Sequence, residues 1–320
     1  VQKVKNIVKR IIPWLITIVI LAYVFGTQDF GKIKAAFKSA DIKLFIPFAI
    51  PLLITTYNLD CLSQWLCLKW FCAPVRYRDI LVARGVSYLL MLVHFWIGQG
   101  AMVYFFYRLT GRSLKRVSSA FLFTFYGDIY SFITLYTVGA FILRDKPQVL
   151  KILIPLCSWA WLYWIFGFCY WKFGWNKKFL TSISEWEILS CFKEARFSHY
   201  LSIYMLRLPL FLLVNGLFYL AMLSFHRNVP NMVPLIQLMV RTPVVMLIAG
   251  LPSIGGLGPT QVGWNFMFNG YITEEIGTVL SLIWNLSQLT VNSTIGLTCL
   301  IFGRKFLTLA REAQKEQTAS

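Results

Sequence analysis

The chain has 320 residues, of which 58% are hydrophobic, 17% aromatic and 14% charged, and its formal net charge is +18. Soluble domains carry about 25% charged residues, so there is too little charge here to coat a water-soluble globule, and a chain this apolar does not stay solvated as a disordered one. The class that remains is an all-α polytopic membrane protein.

In chain order, the first expected element is a span at 11–26. Lys3, Lys5, Lys9 and Arg10 precede an apolar run from Ile11 to Phe25 without a small-x-small cleavage site after it, so it reads as an uncleaved first helix. The segment 29–40 alternates lysines with Phe30 and Phe37 and reads as an amphipathic helix lying in the interface. A span at 44–70 follows. The apolar stretch 81–107 is interrupted by His94, Gly98, Gln99 and Gly100. Spans at 118–143 and 149–173 lead to a second interfacial helix at 179–197 and a span at 200–225. The stretch 233–271 is interrupted from Gly250 to Pro259, where Pro252 and Pro259 remove backbone donors and the glycines favour open backbone. A last span at 278–302 completes a single transmembrane domain over 1–302, and the basic, then polar, tail 303–320 reads as cytoplasmic.

The two interrupted stretches could cross or turn back, and charge counting decides between them. With both termini cytoplasmic and both stretches re-entrant, the inside loops hold 20 basic residues and the outside loops 8, whereas a full crossing by 81–107 gives 17 against 11. The positive-inside rule therefore favours about six full transmembrane helices plus two oppositely oriented re-entrant hairpins, the first entering from the cytoplasm and the second from outside. Irregular backbone at that depth survives only inside protein or beside a polar cavity, and paired broken segments point to a transporter's binding site. The same dispersal of Lys and Arg to the ends of apolar runs excludes nucleic acid, whose binders gather them on one solvated face.

Five charges fall within apolar segments: Asp60, Arg84, Asp128, Arg207 and Arg241. Asp60 lies about 10 residues from the nearer span end, roughly 15 Å at helical rise, and Asp128 is about as deep. At that depth each must be protonated, paired or facing water, which makes both candidates for a proton or polar relay. The arginines are shallower, and their stems can snorkel, but a guanidinium fork also suits an anionic headgroup phosphate. Gly255, Gly256 and Gly258 precede Pro259 and Gln261 as a loop opening onto a helix start, where free backbone donors favour anions. The expected substrate-binding set is therefore Arg84, Gln99, Arg241, Gly255, Gly256, Gly258 and Gln261, with Arg207 beside them. The seven cysteines lie mostly in apolar runs and the three histidines are scattered, so metal and cofactor are not expected and no residue is assigned a catalytic role.

The run Leu251-Pro252-Ser253-Ile254-Gly255-Gly256-Leu257-Gly258 and the series Asp79, Arg108, Gly111, Ser113 and Asp128 resemble the flippase-like transmembrane region of the lysylphosphatidylglycerol synthase family and its stand-alone relatives. The acidic residue that the family places after its Gly-x-Gly is Gln261 here, and the first hairpin tip reads His94-Phe95-Trp96-Ile97-Gly98-Gln99-Gly100 in place of a proline-containing one. No counterpart of the family's soluble aminoacyl-transferase domain lies within the chain. The resemblance thus implies translocation of a polar-headgroup lipid, an anionic phospholipid or a polyprenyl-linked one, across the cytoplasmic membrane of a prokaryote. The alternatives are an intramembrane lipid-modifying transferase and a non-transporting accessory subunit of an envelope-lipid pathway. The partners expected are the membrane lipid, the bilayer, and a second copy of the chain or a lipid-pathway enzyme.

Overall fold

The computed structural model describes residues 31, 34, 35, 38, 40–93, 95–142, 147–173, 186–225, 233–249 and 258–303. The expected first span at 11–26, most of the interfacial segment 29–40, residues 179–185 of the second interfacial segment, Gly255, Gly256 and all but the start of the tail lie outside them. The described part of 179–197 is not one helix but a 3-10 turn, a five-residue helix and the first residue of the next. The described residues are helical throughout, apart from turns and an isolated bridge between Asn269 and Ile272. The helices are α1 (Ile42–Phe71), α2 (Tyr77–Val93), α3 (Phe95–Thr110), α4 (Leu114–Ile142), α5 (Pro147–Phe173), α6 (Ser190–Glu194), α7 (Phe197–Leu223), α8 (Leu235–Ala249), α9 (Pro259–Phe268) and α10 (Glu274–Phe302). A single 3-10 turn, Glu187–Leu189, leads into α6. Among the described residues, two helical segments, Lys43–Phe71 and Phe197–Leu223, are long and apolar enough to cross a membrane by length and composition.

Local chemistry explains where these helices start and stop. Asp41 caps α1, its carboxylate accepting from the Leu44 amide at 3.2 Å. At the other end of α1, the carbonyls of Phe71 and Cys72 have no amide one turn on, and they accept instead from Arg116 Nε at 2.8 Å and Arg112 Nε at 2.9 Å. Cations there also oppose the negative end of the helix dipole. The Gly111-Arg112-Ser113 turn separates α3 from α4: Gly111 takes a φ of +61°, as a helix-terminating glycine does, and Ser113 Oγ accepts from the Arg116 amide at 3.2 Å. Within α4 the hydroxyls of Thr124, Ser131, Thr134 and Thr137 each donate to the carbonyl four residues back, at 2.7–3.1 Å, which satisfies polar groups inside an apolar helix. Pro147 opens α5 and Pro259 opens α9, positions where the missing amide costs nothing.

The chain divides into two compact units. One comprises residues up to Ile54, Leu92–Phe95 and Leu212–Val291; the other comprises Thr55–Met91, Trp96–Phe211 and residues from Asn292 onward. In the second unit, Cys61, Leu68, Phe71, Ile80, Met102, Phe106, Val117, Phe123 and Ile203 form a buried core. In the first, Phe218, Trp264 and Phe268 stack within a core that includes Leu238, Val245 and Leu280, with ring centroids 5.1 Å (Phe218–Trp264) and 4.7 Å (Trp264–Phe268) apart. Large apolar side chains lie on the surface: Phe141 and Trp159 are each 74% exposed and Tyr163 is 70% exposed, while Arg84, Arg207, Arg241 and Asp60 are buried. Large apolar groups outside and charges inside reverse the pattern of a water-soluble domain.

Candidate functional site

Five helices of the second unit bring together residues that the sequence spreads over about 150 positions. Asp60, in the middle of α1, receives Arg84 Nε from α2 on one carboxylate oxygen at 2.5 Å and Arg207 Nη1 from α7 on the other at 2.8 Å. Arg207 Nη1 also lies 3.2 Å from Asp128 Oδ1 on α4. Arg84 extends the network to α3, where its Nη1 donates to Gln99 Oε1 at 3.2 Å and approaches Met102 Sδ at 3.0 Å. Its guanidinium lies 4.9 Å from the centroid of the Tyr88 ring, within cation–π range. Two aspartates and two arginines make the group formally neutral. Neutrality matters because the attraction between buried charges offsets their desolvation only when each is paired and hydrogen-bonded.

The two aspartates are not equivalent. Asp60 is buried and both of its oxygens are hydrogen-bonded. The Asp128 side chain keeps 19% of its surface, and its Oδ1 has no hydrogen-bond partner among the described residues, the 3.2 Å approach to Arg207 being an ion pair without hydrogen-bond geometry. Arg207 Nε is also buried and without a partner among the described residues. An unfilled acceptor and an unfilled donor thus belong to the same pair of residues, whereas the Asp60–Arg84 contact is closed.

The remaining expected site residues that are described, Arg241, Gly258 and Gln261, lie in the first unit and do two separate jobs. Arg241, fully buried on α8, donates through Nη1 to the Met267 carbonyl at 2.7 Å and through Nε and Nη2 to Gln237 at 3.3 and 3.2 Å, over the Tyr271 ring at 5.0 Å. Its charge therefore sits at the C-terminal end of α9. Gln261 sits at the opposite end of α9, where its side-chain oxygen accepts from the Gly258 amide at 2.6 Å and from Thr260 Oγ1 at 3.2 Å. Gly258 adopts φ +91°, so glycine is required there for conformational reasons. Nine helical steps separate Gly258 from Met267, roughly 13 Å at helical rise, so Arg241 and the Gly258 amide do not converge on one phosphate. Gln261 acts as the cap of α9, and its Nε2 and the Trp264 Nε1 are buried donors without a partner among the described residues.

An aromatic pocket in the second unit is missing from the sequence expectations. It has a volume of about 230 Å³ and lies among α4, α5 and α7, with Tyr126, Tyr130, Trp161, Trp164, Tyr200 and Tyr204 on its walls. Its signal is present in the sequence: Tyr126/Tyr130 and Tyr200/Tyr204 repeat at i, i+4 and Trp161/Trp164 at i, i+3, each placing two rings on one helix face. Among the described residues no group of three or more His, Cys, Asp or Glu side chains could hold a metal ion. No family model, curated protein or solved structure matches the chain.

Proposed function

We propose that the chain is a multi-pass protein of a prokaryotic cytoplasmic membrane, with about six crossings, two re-entrant hairpins and both termini in the cytoplasm, that moves a lipid with a polar, anionic headgroup between leaflets. The single observation that carries this reading is the half-closed ion network of Asp60, Arg84, Arg207 and Asp128, buried in helices whose outer faces are apolar. Ionisable residues inside a membrane are by default candidates for a substrate pathway or relay. Among the four, Arg207 has the donor to spare, and a guanidinium binds phosphate through paired N–H groups. Asp60 holds Arg84 and Arg207 in place from one side; a headgroup phosphate takes the free edge of Arg207 and releases Asp128, which reclaims the arginine when the headgroup leaves. Arg84 then positions Asp60 rather than touching the lipid. The resemblance to the flippase-like region of lysylphosphatidylglycerol synthases points in the same direction.

The test is reconstitution in liposomes containing a fluorescent anionic phospholipid or, separately, a labelled polyprenyl phosphate. The purified protein is expected to equilibrate at least one of them faster than protein-free vesicles, and Arg207→Lys, which keeps the charge but loses the fork, to slow this about tenfold or more, the worth of one charge-assisted hydrogen bond. Rates equal to protein-free vesicles for both lipids would refute translocation, as would a covalently altered lipid product in place of transport.

A further inference from the structure

We infer that the aromatic pocket among α4, α5 and α7 holds the hydrocarbon tail of a lipid. This deepens the function proposed above and rests on its reading of the chain as a lipid-handling membrane protein. Eight of the eleven residues lining the pocket are aromatic, and the other three are Gly127, Leu201 and Ile203. Three of the six rings with a polar end have it engaged with a neighbouring group. Tyr200 donates to the Phe192 carbonyl at 3.0 Å, Tyr204 and Thr134 share a hydrogen bond of 3.1 Å, and Trp161 Nε1 donates to Thr137 at 2.9 Å. What faces the cavity is mostly carbon.

The volume of about 230 Å³ has room for several waters, but a buried water needs two to four polar partners, and this wall offers few. An apolar occupant has no such requirement. An aromatic wall also suits an organic cation, but a cation stripped of water needs a counter-charge, and the pocket is lined by no carboxylate. Hydrocarbon is the occupant that matches both the wall and its surroundings. Leu201 and Phe197 line the pocket while remaining 44% and 51% exposed, so its mouth merges with the exposed apolar face carrying Met205.

Position ties the pocket to the ion network. Gly127 lines the pocket, the next residue of α4 is Asp128, and a Cβ added at Gly127 would meet Arg207 Cγ at 3.2 Å. A lipid with its phosphate on the free edge of Arg207 would therefore have a place for its first chain carbons on the other side of Gly127. The small volume fits a segment of chain rather than a whole lipid.

Photo-crosslinking tests this directly. The full-length protein is incubated in nanodiscs with lipids bearing a diazirine on an acyl chain or, in a parallel arm, on an isoprenoid chain, irradiated, and mapped by peptide mass spectrometry. The expected result is labelling of Trp161, Trp164 or Tyr204 by at least one probe, above the level at the exposed Trp159. Leu201→Trp, at the partly exposed mouth, should cut pocket labelling about tenfold, the effect of displacing roughly two methylenes, with Trp159 labelling unchanged; Leu201→Ala should retain it and controls for folding. Pocket labelling no greater than at Trp159, labelling unaffected by Leu201→Trp, or its displacement by tetramethylammonium would each overturn the inference. Transport measured in parallel keeps the two readings apart: translocation without pocket labelling sinks the tail site alone, and pocket labelling without translocation sinks the flippase reading alone.

Discussion

Asp60 and Asp128 look alike in the sequence, each a lone acid deep in an apolar run, and the contacts that separate them come from helices far away in the chain. Asp60 pairs with residues 24 and 147 positions distant. Sequence reasoning reaches the need for a partner, because an unpaired charge at that depth is too costly, but hydropathy carries no record of which helix faces which. The closed and open halves of the network give these acids different weights in stability. Asp60→Asn would leave two buried guanidinium groups facing a neutral amide, and it should cost about 3–5 kcal/mol, as breaking a buried ion pair from one side does. Asp128→Asn removes one contact without hydrogen-bond geometry from a side chain that keeps some exposure, so it should cost less, about 1–3 kcal/mol. Unfolding of the two variants in the same detergent measures both values. Equal losses would mean that Asp128 is as firmly held as Asp60 and is no exchangeable partner. Gln261 teaches the converse lesson: the glutamine that stands where the resemblance expects an acid still supplies the acceptor that the start of α9 needs, a role set by its three-residue spacing from Gly258.

Helices were the most legible level, because their signal is local. The expected spans 44–70, 118–143, 149–173, 200–225 and 278–302 correspond to α1, α4, α5, α7 and α10, with ends displaced by a few residues where a cap intervenes. The interrupted stretch 81–107 resolves into α2 and α3, and 233–271 into α8 and α9. Close approach between helices is less legible, since a glycine that breaks a helix and one that lets two helices touch are the same letter. Gly98 and Gly100 make the point. A Cβ at Gly98 would lie 2.8 Å from the Met91 amide nitrogen and 2.9 Å from the Ser87 carbonyl oxygen on α2, backbone atoms that cannot turn aside, whereas one at Gly100 would meet nothing within 4 Å. Gly98→Ala should therefore destabilise by about 1–3 kcal/mol, and Gly100→Ala should be neutral or stabilise by up to about 1 kcal/mol through its better helix propensity. Thermal unfolding of the pair checks this; a tolerated Gly98→Ala would mean that α2 and α3 pack less closely.

The short α6 supplies a pH-dependent counterpart. Glu194 is joined to Arg116 at the start of α4, Glu187 accepts from Ser113, and the Cys191 amide donates to Ser119 Oγ at 3.0 Å. Hydrogen bonds from Arg116 hold the Glu194 carboxyl below its ordinary value of 4.5. A carboxylate whose value is lowered on folding contributes its stabilisation above the unfolded value and loses it as pH falls through the folded one. Hydrogen exchange over residues 190–194, corrected for intrinsic rates, should thus be slow at neutral pH and accelerate only below about pH 4.5, the ordinary value from which the shift begins. Glu194→Gln should exchange faster already at neutral pH. The same protection in wild type and variant would show that Ser119 and the buried Cys191 hold α6 without the ion pair.

At the scale of the whole molecule, composition and charge set the expectations for solvent and orientation, but neither reveals the division into two compact units, which depends on contacts between segments as distant as Thr55–Met91 and the residues from Asn292 onward. The direction can be tested independently of function. Two basic residues of the 69–116 region have local work, Arg112 and Arg116 capping the end of α1, so part of the +18 of the chain serves local structure. Lys43 and Lys115 are the better reporters because both are exposed. The proposed topology puts Lys43 outside and Lys115 in the cytoplasm. For single cysteines at these positions, the partly accessible Cys169 and Cys299 are first replaced by alanine, the other cysteines being buried. A membrane-impermeant maleimide added to sealed cells should then label Lys43→Cys at once and Lys115→Cys only after permeabilisation. Labelling of both positions from outside would mean that the segment 81–107 crosses the bilayer instead of returning. The five charges inside the apolar segments would then have to be placed on a different path through the membrane, because the hairpin that delivers Gln99 to Arg84 would no longer turn back on the cytoplasmic side.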